Sequence, residues 1–122
     1  MTKKERPILS NLVQEGTTEI EKFQNEVLRP IIKMQHNFLI SFFKNNTEKR
    51  KIIFDELPND KKKKVIRTSL TKDINFKNIL LGSIIGHFSL DELEFYQQNT
   101  SEINRRILQI VKQRLQDSIS EI

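Results

Sequence analysis

The sequence contains no cysteine and no tryptophan, and it has only three glycines and three prolines in 122 residues. Without cysteine the chain cannot form disulfides, thiolate nucleophiles, zinc ribbons or iron–sulfur clusters. So few glycines and prolines cannot supply the turns that an all-β protein needs about every 8–12 residues. These absences leave a helical protein as the expected fold class.

Long apolar runs are also missing. The first residues are polar or charged, and the apolar residues that follow are interrupted by Ser10, Asn11 and Gln14. The apolar part of a signal peptide needs about 7–15 such residues, and a membrane-spanning helix needs about 18 or more. The sequence therefore predicts no signal peptide, no membrane span and a cytoplasmic location.

The charge is high and unbalanced, with 21 Lys and Arg against 16 Asp and Glu and a net charge of +5. A basic balance favours encounters with nucleic acid, anionic membranes or acidic proteins. Lysine, asparagine and isoleucine are all over-represented, as they are in A·T-rich coding sequences. The net charge is therefore weak evidence for any one partner.

Signals for the beginning of a helix recur along the chain, and each precedes apolar residues at helical spacing. These signals are Thr18, Pro30, Pro58, Asp73, Ser89 and Asn99. Glutamate follows both Thr18 and Ser89 three positions later, which is the spacing of a capping box. We predict an all-α single-domain bundle of five to seven helices with irregular or orthogonal packing. Residues 1–16 form an N-terminal tail, and residues 17–122 form the helical domain.

Three of the predicted helices have distinctive faces. Residues 30–44 form the most amphipathic helix. Residues 74–85 are apolar around most of the circumference, which is typical of a buried helix, so we expect them at the centre of the fold. Gly86 is predicted to end that helix with a positive φ, and Gly82 to be tightly packed. The last helix carries a row of apolar residues at every fourth position, and whether residues 89–119 form one helix or two stays open.

The apolar positions of these helices give the predicted core. Its members are Ile20, Phe23, Ile32, Phe38, Leu39, Phe42, Phe76, Leu80, Ile84, Ile103, Ile107 and Val111. Ile40 and Phe43 lie beside the main stripe and exceed the needs of one core. Surplus apolar surface often marks an interface, so we expect these two residues to contact a partner.

The N-terminal tail is the second predicted interface. Ile8, Leu9, Leu12 and Val13 share one side of a short helix by their spacing. A tail with this pattern docks either on its own domain or on a neighbouring copy, and the sequence leaves both open.

A run of lysines is the sharpest charge feature. Lys61, Lys62, Lys63 and Lys64 are consecutive, and Arg67 follows. Such residues can neutralise phosphates. Consecutive helical residues point about 100° apart, however, so the four surround the helix axis instead of forming one stripe. Both a polyanion-binding surface and a solvated charge run fit the pattern.

Reactive groups form no catalytic motif. His36 and His87 lack the Glu-x-x-His and His-Glu-x-x-His spacings of di-metal and zinc sites. There is no glycine-rich phosphate loop and no nucleophile elbow. The sequence therefore predicts no catalytic residue, no metal ligand and no cofactor.

Four stretches of the sequence form a distinctive set, namely RPIIKMQ at 29–35, FKN at 76–78 with Gly82, IGHFSLDEL at 85–93 and NTS at 99–101. With these stretches the chain resembles a family of short all-helical bacterial proteins, some of which carry a glyoxalase name. The resemblance implies the same run of helices from about Thr18 to Ile119, and the glyoxalase name implies a lyase activity. It assigns no active-site residue to this chain.

Taken together, these patterns predict a non-catalytic module that acts through contact with a protein partner or with itself as a homodimer. Binding of nucleic acid or another polyanion through the lysine run is the alternative. The lyase implied by the resemblance is the second alternative.

Overall fold

The computed structural model describes residues 19–122, of which 86% are helical, with no strand in that part of the chain. Six helices follow one another, and they are α1 (19–34), α2 (His36–Lys49), α3 (Asn59–Lys72), α4 (Ile74–Ile85), α5 (Leu90–Gln98) and α6 (Thr100–Asp117). Short 3₁₀ turns occur at Phe54–Glu56 and Ile119–Glu121. The prediction of an all-α fold with five to seven helices is confirmed. The predicted tail and the Thr18 cap lie outside the described residues.

The prediction that a new helix begins at Pro30 is wrong, because the first helix continues through this residue. Residues Gln24–Leu28 form a π-helical turn, in which the N–H of Arg29 donates to the carbonyl of Gln24. This wider turn lets the chain pass through Pro30, which has no N–H to donate. The break comes at Gln35, whose φ of −89° and ψ of 12° leave the α region. The predicted helix over residues 30–44 is therefore two helices.

Local side-chain caps begin two of the helices as expected. The Ser89 hydroxyl accepts from the N–H of Glu92 at 3.2 Å, and the Glu92 carboxylate accepts from the N–H of Ser89 at 2.8 Å. The Asp73 carboxylate accepts from the N–H of Phe76 at 3.1 Å. Between α5 and α6, Asn99 leaves helical geometry. Residues 89–119 are therefore two helices with a sharp break between them.

The central helix of the fold is α6, not α4. Helix α6 contacts all five other helices, and its predicted row of apolar residues is fully buried. The row comprises Ile103, Ile107, Val111 and Leu115. The apolar character of α4 was misleading because only one side of it is covered, and Ile79 on its other side is 51% exposed. No helix among residues 19–122 is long and apolar enough to cross a membrane.

The core prediction is wrong at several positions of α2. Phe43 is fully buried and Ile40 is 9% exposed, so neither is surplus surface. Phe43 packs edge-on against Phe54 at 5.5 Å and against Phe76 at 6.0 Å. Phe38, by contrast, is 39% exposed. The bend at Gln35 separates α2 from α1, and the buried face of α2 then packs against α6, the 3₁₀ turn and Phe76 of α4.

The remaining predicted core residues are covered to different degrees. Ile20 and Phe42 are only partly buried. The other predicted residues are buried, together with several that the prediction omitted. The omitted ones are Leu28, Ile40, Phe43, Phe54, Leu81 and Ile122, whereas Ile66, Leu70 and Leu115 are buried as their helical spacing indicates.

Candidate functional site

The outer side of α4 is free of charge. Its exposed residues are Ile74, Asn75, Asn78, Ile79 and Gly82, and the one charged residue of the helix, Lys77, is half-buried. Asn75, Ile79 and Gly82 recur at a spacing of three or four residues, so they lie on one side of the helix. In a chain with 30% charged residues, a solvent-facing helix surface without a charge is unusual.

Helix α2 lies antiparallel beside this surface. The Gln35 amide donates to the carbonyl of Ser83 at 3.2 Å, and at the other end the Asn46 amide donates to Asp73 at 3.3 Å. In this register Phe38 of α2 lies about level with Leu80, one residue from Ile79. We call Phe38, Asn75, Ile79 and Gly82 the uncharged face.

The ring of Phe38 is exposed but stacked on a second aromatic ring. Its ring stacks on Phe42 with centroids 5.5 Å apart and planes 10° apart, and Phe42 stacks on Phe76 at 5.0 Å and 9°. Phe76 is buried. Three stacked rings thus run from the core to the surface, and the outermost one presents an aromatic surface to solvent.

Gly82 is exposed and has open space around it, contrary to the tight packing that its spacing suggested. A Cβ built on Gly82 has no atom within 4 Å outside its own helix surroundings. Gly86 does end α4, but with a φ of −61° instead of a positive one. A Cβ on Gly86 would lie 3.1 Å from the carbonyl oxygen of Gly82, so close approach explains this glycine. Nothing in the described chain explains Gly82.

The predicted lysine surface is exposed for the most part. Lys61, Lys63, Lys64 and Arg67 are exposed, whereas Lys62 is half-buried with its ammonium 5.5 Å from the Phe54 ring centroid. Within residues 19–122, none of these five residues forms an ion pair with a carboxylate. Four cations therefore share the outer side of α3, and the fifth turns toward the core.

A shallow apolar groove runs along the beginning of α1. It has a volume of about 270 Å³ and is lined by Glu19, Lys22, Phe23, Glu26, Val27 and Phe95. Phe23 contacts Phe95 of α5, with centroids 4.9 Å apart, and also Phe88 at 5.5 Å. No residue of α5 is fully buried, and Leu90 is 85% exposed. The described chain thus covers α5 on one side only.

The tail carries four predicted interface residues. Ile8, Leu9, Leu12 and Val13 all lie outside the described residues.

The two histidines differ in their surroundings. The Arg114 guanidinium donates to Nδ1 of His36 at 3.1 Å, and Nε2 of His36 lies 2.8 Å from the Glu121 carboxylate. Since arginine only donates, Nδ1 accepts and Nε2–H donates to Glu121. His36 thereby ties α2 to α6 and to the C-terminal turn, whereas His87 is exposed. Among residues 19–122, no group of three or more His, Asp and Glu side chains could hold a metal ion.

A polar depression of about 380 Å³ lies between α1 and α6. It is lined by Gln24, Arg29, Gln109, Ile110, Gln113, Arg114, Asp117 and Ser118. Gln113 donates to Asp117 at 2.9 Å, and Arg106 donates to Gln24 at 2.9 Å. These contacts hold the side chains as a polar helix junction, and the residues lining it include no paired nucleophile and base.

One carboxylate has a perturbed proton affinity. Hydrogen bonds from Arg105, and then from Arg106, lower the pKa of Glu102 below its ordinary value of 4.5. The same bond raises the pKa of Arg105. These groups lie on the surface of α6, and Arg106 also reaches Gln24 in the π turn. The perturbation therefore belongs to a structural ion cluster at a helix junction.

The uncharged face was missed by the sequence prediction. The spacing of Gly82 and Gly86 was visible, as was the absence of charge between Asn78 and Gly86. Both features were assigned to a buried central helix, because an apolar helix is most often buried. Only the packing of α4 shows that one side stays exposed. Comparisons with protein-family models, with curated proteins and with solved structures found no match to the chain.

Proposed function

We propose that this protein is a non-catalytic, cytoplasmic helical module that acts through protein–protein contact, and that it self-associates through the uncharged face. The observation that carries this proposal is the exposed, charge-free side of α4 beside the exposed ring of Phe38. The cysteine-free sequence is compatible with a reducing compartment.

Electrostatics favour a second copy on this face. Two copies each carry a net charge of +5, so they repel each other wherever lysine-rich surfaces meet. The uncharged face avoids that repulsion. Asparagine amides both donate and accept hydrogen bonds, so Asn75 and Asn78 can pair with their own counterparts across a two-fold axis. A two-fold interface needs such a self-complementary patch.

The shape of the face also favours a helix as the contacting element. Small residues on a helix allow another backbone to approach closely, and Gly82 leaves open space at the C-terminal end of the face. Aromatic residues in fixed positions contribute much of the energy at interfaces. Phe38 has that form, because the stack with Phe42 and Phe76 holds its ring before any partner arrives.

The test compares variants by sedimentation equilibrium. Phe38→Ser with Ile79→Ser removes two exposed apolar groups from the face, and we expect it to weaken self-association by about tenfold or more. Ile53→Ser is the matched control, since Ile53 is 65% exposed but lies in the connection between α2 and α3. An equal effect of the control, or no effect of the double variant, contradicts the proposed face.

Polyanion binding is the second candidate, favoured by the four exposed cations of α3. We expect binding to RNA or DNA to weaken with salt, with a log–log slope of about −0.7 to −0.9 per phosphate contact. Changing Lys61, Lys63 and Lys64 to Gln should reduce both affinity and slope. The control changes Lys33, Lys44 and Lys49, which are also exposed, and should cost less. Absence of binding at low salt rejects this candidate.

A further inference from the structure

The groove along the beginning of α1 starts at the first described residue of the chain. Glu19 is the first described residue and also lines the groove, together with Phe23 and Val27 further along α1. The 18 residues that precede it are therefore tethered at the mouth of an exposed apolar surface. A tethered segment has a high effective concentration at such a surface, and no separate partner has to be recruited.

The apolar pattern of the tail fits this groove in length. Gly16, Thr17 and Thr18 provide three residues for a reversal, and two to five residues are usual between antiparallel helices. A helix over residues 8–15 would be about 12 Å long at 1.5 Å per residue. The stretch of α1 that lines the groove, residues 19–27, has about the same length.

The register of such a hairpin matches apolar groups with apolar groups. Leu12 would lie near the level of Phe23, and Ile8 near the level of Val27. A helix in this groove would also cover part of α5, of which no residue is buried.

We infer that residues 8–15 dock as a helix in the groove between α1 and α5 of their own chain, with Ile8, Leu9, Leu12 and Val13 facing Phe23, Val27 and Phe95. The tail is then a seventh helix that completes the cover of α5. This inference goes beyond the proposed self-association and does not depend on it.

Because the chain has no cysteine, two introduced cysteines can form a disulfide only with each other or with those of a second copy. Leu12→Cys is combined with Lys22→Cys, which places a thiol on the exposed rim of the groove. The matched control combines Leu12→Cys with Glu21→Cys. Glu21 is also exposed, and at about 100° per residue it lies about 200° around the helix from Glu19, so it faces away from the groove. The two variants therefore close loops of nearly equal length.

Under mild oxidation at low protein concentration, the Lys22 variant is expected to form an intramolecular disulfide about tenfold faster than the control. Equal rates for the two variants would show that the tail has no preferred face, and would overturn the inference. Disulfide-linked dimers of the Lys22 variant would also overturn it, because the groove would then hold the tail of a second copy. Both rates are read on monomeric protein, so failure of self-association at α4 would leave this result unchanged.

Discussion

At the scale of single residues, Phe43 and Phe38 have opposite roles although both lie on α2. Phe43 is fully buried among aromatic rings, whereas Phe38 is 39% exposed. Phe43→Ala should lower the free energy of unfolding by about 3–5 kcal/mol because it removes contacts and leaves a cavity. Phe38→Ala is the matched change and should cost well under half of that. Urea denaturation of the monomer measures both, and similar losses would contradict the assignment of the two rings.

Gly82 gives a second prediction at this scale. Glycine inside a helix costs about 0.5–1 kcal/mol relative to alanine, and a Cβ on Gly82 meets open space. Gly82→Ala should therefore stabilise the monomer by about that amount and weaken self-association at the same time. Gly86→Ala should give a smaller gain, because its Cβ would lie 3.1 Å from a carbonyl oxygen. Thermal unfolding at low concentration and sedimentation measure the two effects, and a destabilised Gly82→Ala monomer would contradict the open surface.

At the scale of the helices, Glu102 links the beginning of α6 to α1 through Arg106, which donates to Gln24 in the π turn. Hydrogen bonds from Arg105 and Arg106 lower the pKa of Glu102 in the folded chain. The stabilisation is therefore present above the pKa of the unfolded chain and is lost as the pH falls through the lowered folded value.

We accordingly expect Glu102→Gln to be less stable than the parent at about pH 7 and to approach it at about pH 3. Denaturant unfolding at both pH values measures the difference. Glu94→Gln carries the same change of charge on α5 and serves as the control. A deficit of Glu102→Gln that is the same at both pH values would show that the ion cluster is not the cause.

The beginnings of helices were predictable because their signals are local. The Ser89 hydroxyl and the Glu92 carboxylate satisfy backbone N–H groups within three residues, so their spacing in the sequence is enough. Pro30 shows the limit of local signals. Its missing N–H ends an ordinary helix, but the π turn that ends two residues earlier, at Leu28, accommodates it, and the bend moves to Gln35.

At the scale of the whole molecule, the faces of helices were less predictable than their ends. The apolar composition of α4 suggested a buried helix, yet α6 occupies the centre and leaves Ile79 and Gly82 exposed. Which side of a helix is covered depends on neighbours that are distant in the sequence. The lysine run of the candidate site was evident from composition, whereas the uncharged face required the packing of α2 against α4.

The most direct test of the proposed self-association is a distance between two copies. The cysteine-free chain allows one spin label at Asn78→Cys, which is exposed at the edge of the uncharged face. Packed helices lie about 8–10 Å apart, so we predict a label-to-label distance of about 20 Å or less in pulsed electron resonance, increasing in population with concentration. The same label at Lys61→Cys should give longer distances. A mass of 14.5 kDa at all concentrations, with no distance between Asn78 labels, would contradict self-association through this face.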